Sequence, residues 1–206
     1  MRAAAKLLAL PAMMIALTAG SVGAVRAAEP DPAIATIDGF DRALIETMKA
    51  ADALGVKGRY RKLEPAVERT FDLAAMTRFA VGPAWLKFSD AEHRALIDAF
   101  TRLTVTSYAH NFDGYSGERF EINPAVDTRG IDKIVQSHLI QTHDAPVALT
   151  YRLRQSGGSW KVIDVFYQGT ISQLTTRRSD LAATANTGGA AALVAKLNAQ
   201  SEKLMR

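Results

Sequence analysis

The 206-residue sequence is 48% hydrophobic, carries 25 Lys and Arg against 21 Asp and Glu for a formal net charge of +4, and contains no cysteine. That apolar content suits a chain that folds around a core, and the missing thiols exclude disulfides and thiolate metal sites. Three of the 25 basic residues (Arg2, Lys6, Arg26) and none of the 21 acidic ones fall in residues 1–27, so the remainder carries 22 minus 21, or +1. A nucleic-acid binder is expected to keep a basic patch or domain, so nucleic acid is not an expected partner.

Residues 1–27 have the form of an export signal. Arg2 and Lys6 give a positive start, Leu7 to Ala19 an apolar run, and Val25-Arg26-Ala27 a small-residue cleavage site, so the mature chain is expected to begin at Ala28. A run of about 13 apolar residues is shorter than the roughly 20 that span a bilayer. Every later helical segment is interrupted by charge, which predicts a soluble mature protein. The remaining 206 minus 27, or 179, residues are read as one domain, since a chain of that size buries roughly 70% of its unfolded surface.

From Ala33 to Asp52 the positions Ile34, Ile37, Phe40, Leu44, Ile45 and Met48 recur at helical spacing. Gly55 and Gly58 interrupt the pattern, and a second helix carries Tyr60, Leu63, Val67 and Phe71, with Pro65 near its start or at a kink. Asp72 can cap a third helix that buries Leu73, Met76 and Phe79 and stops at Gly82-Pro83. Ser89-Asp90-Ala91-Glu92 has the form of a capping box ahead of Leu96, Ile97, Phe100, Leu103, Val105 and Tyr108. Beyond Asn111 the pattern turns to strands, at Arg119 to Val126, Lys133 to Thr142, Pro146 to Gln155 and Trp160 to Ile171.

Ser156-Gly157-Gly158-Ser159 joins the last two strands as a hairpin. Alternation puts Val147, Leu149, Tyr151 and Leu153 on one face of their strand and Ala148, Thr150, Arg152 and Arg154 on the other. In the next strand Trp160, Val162 and Phe166 fall on one face and Ile163, Val165 and Tyr167 on the other, the pattern of a central strand covered on both sides. The chain ends in helices on either side of Asn186-Thr187-Gly188-Gly189. Helices, then strands, then helices define an α+β domain.

Catalytic patterns are sparse. His93, His110, His138 and His143 match no metal-binding spacing, and the sequence has neither a nucleophile elbow nor a phosphate-cradling Gly-rich loop. No metal, cofactor or catalytic residue is therefore assigned. Asp164 stands out in an apolar strand, where a buried carboxylate must be satisfied or take on acid-base work. Arg152, Arg154 or a backbone amide is its expected partner. The numerous aromatic residues fit equally a filled core or the wall of a cavity, because periodicity cannot separate the two.

Three segments carry a family resemblance: VERTFDLAAMTRFAVGPAW (67–85), SDAEHRALIDAFTRLTVTSYA from Ser89, and YRLRQSGGSWKVIDVFYQGTISQLTTRRSDL from Tyr151. They resemble the MlaC-type periplasmic lipid-binding proteins, also called the toluene-tolerance auxiliary component of ABC transporters. Within that family AMTRFAVGPAW, HNFDGYSGERFE and TTRRSDL are similar to the hopanoid-biosynthesis-associated HpnM branch. The resemblance implies a twisted antiparallel sheet of about four strands wrapped by helices around an apolar cavity. It further implies a periplasmic, monomeric carrier of hopanoid or phospholipid, served by an inner-membrane transporter complex and by membrane-bound lipid donors and acceptors. Pattern and resemblance together nominate Phe79, Trp85, Phe100, Leu103, Tyr108, Leu149, Tyr151, Val165 and Tyr167 as the lipid-binding wall. The alternative is a cavity enzyme acting on a lipid with Asp164 as acid or base.

Overall fold

The computed structural model describes residues 30–206, so the expected export signal and its cleavage site lie outside the described residues. Helix α1 (Pro32–Met48) opens where Asp31 accepts the Ala33 amide at 2.8 Å and Pro32 supplies a φ already suited to a first turn. Its buried stripe of Ala33, Ile37, Phe40, Leu44 and Met48 matches the apolar period of the sequence. Helix α2 (Ala51–Thr70) breaks once, at Gly55 (φ 57°, ψ 175°), a conformation that suits glycine. Gly58 and Pro65 are absorbed within the helix. Arg59 is buried there because two carbonyls accept its donors, Ala109 at 2.7 Å and Ala51 at 3.2 Å, which ties α2 to the following long helix.

Asp72 caps α3 (Leu73–Val81) by accepting the Ala75 amide at 3.0 Å. A 3-10 turn, Gly82–Lys87, then leads to α4 (Asp90–Asn111). The capping box forms as the sequence predicts: Glu92 accepts the Ser89 amide at 2.7 Å, and the Ser89 hydroxyl accepts the Glu92 amide at 3.4 Å. No helix among the described residues is long and apolar enough to cross a membrane.

The sheet has six strands rather than about four: β1 (Arg119–Ile122), β2 (Asp127–Arg129), β3 (Asp132–Ile140), β4 (Val147–Ser156), β5 (Ser159–Tyr167) and β6 (Ile171–Ser172). All pairings are antiparallel, in the order β1-β3-β4-β5-β6 with β2 also on β3. The first predicted strand ends early, at Ile122, and β2 forms just beyond its expected end at Val126; Gln168 to Thr170 turn the end of the last predicted strand into β6. Gly157 (φ 57°) and Gly158 (φ 81°) make the tight β4–β5 turn.

Strand β5 departs from simple alternation. A register shift opposite Arg152 and Leu153 pairs Leu153 with Val162 but Tyr151 with Val165, so Ile163 is the extra residue of a bulge. Val162 therefore shares the inner face with Val165 and Tyr167, while Asp164 and Phe166 belong to the outer one. The outer face of β5 is only half-buried, so the strand is not covered on both sides. Helices α5 (Gln173–Thr187) and α6 (Gly189–Leu204) pack with α3 and α4, and the helices and the inner face of the sheet enclose a common core.

Candidate functional site

The curved inner face of the sheet and the helices do not fill all the space between them. A cavity of about 700 Å³ remains, within the range of small-molecule sites. Its sheet wall is set by register: Leu139 pairs with Val147, Leu149 with Tyr167, and Val165 lies two pairs further on, on the same face. One face of α4 supplies Phe100, Thr104, Ser107, Tyr108 and Asn111, whose four- and seven-residue spacing aligns them. Met48, Phe71 and Met76 complete the helical side, and α5 contributes Gln173, Leu174 and Arg177.

The depth and the mouth differ in chemistry. Phe71, Met76, Phe100, Val165 and Leu174 are buried, whereas Asn111, Asp113, Ser116 and Gln173 face water at the opening. Tyr115 and Tyr167, each 43% exposed, form part of the rim. Tyrosines at a rim combine an apolar ring with a polar hydroxyl, which suits a ligand with an apolar body and a polar end. Thr104 and Ser107 donate to the carbonyls of Phe100 and Leu103, both at 2.8 Å, so their hydroxyl hydrogens are already used.

Of the nominated wall residues, the structure brings Phe100, Tyr108, Leu149, Val165 and Tyr167 to this cavity and leaves the other four elsewhere. Phe79 is one helical turn past Met76 on α3 but points outward, 44% exposed under the Arg178 guanidinium. Trp85 stacks on His93 with ring centroids 3.8 Å apart, and its carbonyl meets His93 Nε2 at 2.9 Å. Leu103 is buried in packed core beside the cavity face of α4. Tyr151 is fully buried on the inner face of β4 and does not reach the cavity surface.

Sequence reasoning missed the polar wall residues of α4, the 111–118 loop and Arg177. The helical period held the signal: Arg177 lies on α5 between Leu174 and Leu181, which are both buried.

Behind the cavity wall is a buried polar group. Asp41 of α1 is 3% exposed; its Oδ2 accepts the Ser137 hydroxyl at 3.0 Å, and its Oδ1 has no hydrogen-bond partner. Burial, reinforced by the charge of Asp38, pushes its pKa up to about 8 against the hydrogen bond from Ser137 and the nearby Tyr151 hydroxyl. Asp41 is therefore mostly protonated at neutral pH. Burial and the nearby Asp41 also raise the Tyr108 and Tyr151 phenols well above their ordinary value, so both stay neutral. Phe40 packs edge-on against Phe71 and Tyr108, each at 5.1 Å, and locks this wall in place.

Asp164 is away from the cavity, among donors. It accepts the Ser172 hydroxyl at 2.6 Å, the Val165 amide at 2.8 Å and the Leu174 amide at 3.1 Å, so it fastens the start of α5 to β5. The arginines expected as partners bind Asp132 instead. Arg152 Nε and Arg154 Nε each donate to it at 2.6 Å, and Arg154 with Arg152 holds its carboxyl below the usual range. No group of three or more His, Asp or Glu able to hold a metal occurs among the described residues.

A helix-covered antiparallel sheet enclosing an apolar cavity with a polar mouth is the architecture of a ligand-holding protein. The family model described as MlaC protein matches residues 40–199, and the chain belongs to that family. Among solved structures it is similar to the phospholipid-binding protein from Ralstonia solanacearum in complex with a phospholipid, at 22% identity and a TM-score of 0.73, covering 84% of this chain and 99% of that one. No curated protein matches.

Proposed function

We propose that this protein is a periplasmic carrier that holds the acyl chains of a phospholipid in the cavity between sheet and helices and ferries it between the inner and outer membranes. The observation that carries this reading is the cavity of about 700 Å³, apolar in its depth and polar at its mouth, in a member of the MlaC family. The phospholipid bound by the similar Ralstonia protein supports the choice of ligand. Burying about 15 methylenes is worth on the order of 12 kcal/mol relative to water, enough to keep a lipid in the carrier during transit. In this reading residues 28–206 form one lipid-binding domain, loaded and emptied at an inner-membrane transporter complex and at membrane-bound donors and acceptors.

Binding rather than catalysis fits the placement of Asp164, whose acceptor positions serve Ser172, Val165 and Leu174. A hopanoid, toward which the loop resemblance points, is the competing ligand.

The test is to express the full chain with its own export segment, purify it from the periplasm, extract lipid and identify it by mass spectrometry. About one phospholipid per protein is expected, on a chain that begins near Ala28. Folded protein without lipid overturns the carrier, a hopanoid in the extract overturns the choice of ligand, and turnover of added lipid favours an enzyme.

A further inference from the structure

Among the described residues, Arg177 is the only cation that lines the cavity. It lies on the inward stripe of α5, beside the buried Leu174 and Leu181, and is itself half-buried. Its one hydrogen bond runs from Nη1 to the neutral Gln200 Oε1 at 3.2 Å, and no carboxylate among the described residues comes within salt-bridge distance of it. The other guanidiniums set into this fold are provided for: Arg59 by two carbonyls, Arg152 and Arg154 by Asp132, and Arg178 by the face of Phe79. A guanidinium has five N–H donors in a planar fork, stays charged when partly desolvated, and matches phosphate and carboxylate oxygens two at a time.

A neutral ligand filling the cavity would strip water from this charge and return hydrogen bonds from ester or hydroxyl oxygens at most, with no counter-charge. An anionic one would supply the missing counter-ion. We infer that Arg177 is a specificity residue that reads a phosphate group on the cavity ligand, so that the protein selects phosphate-bearing lipids over neutral ones with the same chains. The inference rests on the carrier reading above.

The test uses vesicles holding equal amounts of dioleoyl-phosphatidylglycerol and dioleoylglycerol, lipids with identical tails of which only the first carries a phosphate, within its phosphoglycerol headgroup. After incubation and repurification, the lipid held per protein is quantified by mass spectrometry. The wild type should hold the phosphate lipid in about tenfold or greater excess, the scale of a hydrogen bond to a charged group. Arg177→Gln should bring the ratio close to one, and Arg177→Lys, which keeps the charge without the fork, should restore only part of it. Should Arg177→Gln not fold, Arg177→Met gives the same comparison. Equal loading by the wild type, or an undiminished ratio in the folded variant, overturns the inference while leaving the carrier standing.

Uptake of neither lipid overturns the carrier reading as well. A parallel arm adds millimolar inorganic phosphate without lipid. If it raises the melting temperature of the wild type but not of Arg177→Gln, and the lipid ratio is one, the site takes free phosphate and the lipid assignment falls.

Discussion

Replacing Asp41 by asparagine tests the buried carboxyl behind the cavity wall. In the folded chain its pKa is about 8, against 3.8 for the unperturbed group. Below 3.8 both folded and unfolded chains carry the proton, and above about 8 neither does. Between those limits the unfolded chain has lost a proton that the folded one keeps, so stability falls as pH rises, by at most about 1.4 kcal/mol per unit. From pH 5 to pH 7 that ceiling is about 2.7 kcal/mol, and water penetration or relaxation around the unpartnered Oδ1 makes about 1–2 kcal/mol the expected loss. An amide cannot ionise, so Asp41→Asn should lack this component while sharing every other titration with the wild type.

The measurement is urea unfolding of both proteins at pH 5, 6, 7 and 8, compared as a difference so that the histidines cancel. The variant should match or trail the wild type at pH 5 and overtake it by pH 8. A pH-independent difference between the two would refute the assignment of a neutral, buried Asp41.

Leu149→Trp should fold, because the added bulk can enter the cavity, yet hold much less lipid per folded protein; full loading would remove Leu149 from the binding wall. Asp164→Asn should lower stability by about 1–2 kcal/mol through the weakened start of α5, with lipid loading within a few-fold of wild type by mass spectrometry. Asp132→Ala should cost about 1–3 kcal/mol in urea unfolding, less than a fully buried ion pair because the two arginine side chains are 43–44% exposed. Its pH dependence has the opposite sign to that of Asp41. The Asp132 pKa is depressed, so its contribution is present above the unfolded value and disappears as pH falls through the folded one, and the wild type and the variant should converge in acid.

Local chemistry made much of the architecture readable. Ser89 with Glu92, Asp72 before Leu73, and the paired glycines at 157 and 158 each encode their structure within four residues, and each forms as read. The bulge at Ile163 is different. Nothing in Trp160 to Tyr167 marks the skipped pairing, because both faces carry apolar side chains and the pattern fits two registers equally well. The error in face assignment therefore moved Val162 away from Val165, whereas Asp164 keeps its place opposite Arg152: that guanidinium turns to Asp132, and the backbone amides of Val165 and Leu174 hold Asp164 instead. Phe79 shows a related limit. Hydrophobicity placed it inside, whereas the outward turn of α3 and the guanidinium of Arg178 give its ring a place at the surface.

The wall of a lipid cavity and the interior of a core are built from the same residue types, so the nominated set mixed the two. Leu103 and Phe100 are three residues apart on α4, yet one packs in the core while the other lines the cavity. Polar residues on an inward face would have been the better guide, since a filled core does not welcome Thr104, Ser107 and Arg177 along one wall. The same residues bear on how a carrier could choose its cargo. An apolar cavity offers a lipid tail much the same surroundings as the bilayer it leaves, so tail burial prevents loss into water without distinguishing one lipid from another. Discrimination has to come from groups that meet the polar end, and of the described residues at this cavity Arg177 alone carries a positive charge. Direction of transfer would then depend on which membrane partner best offers the headgroup an alternative to that guanidinium.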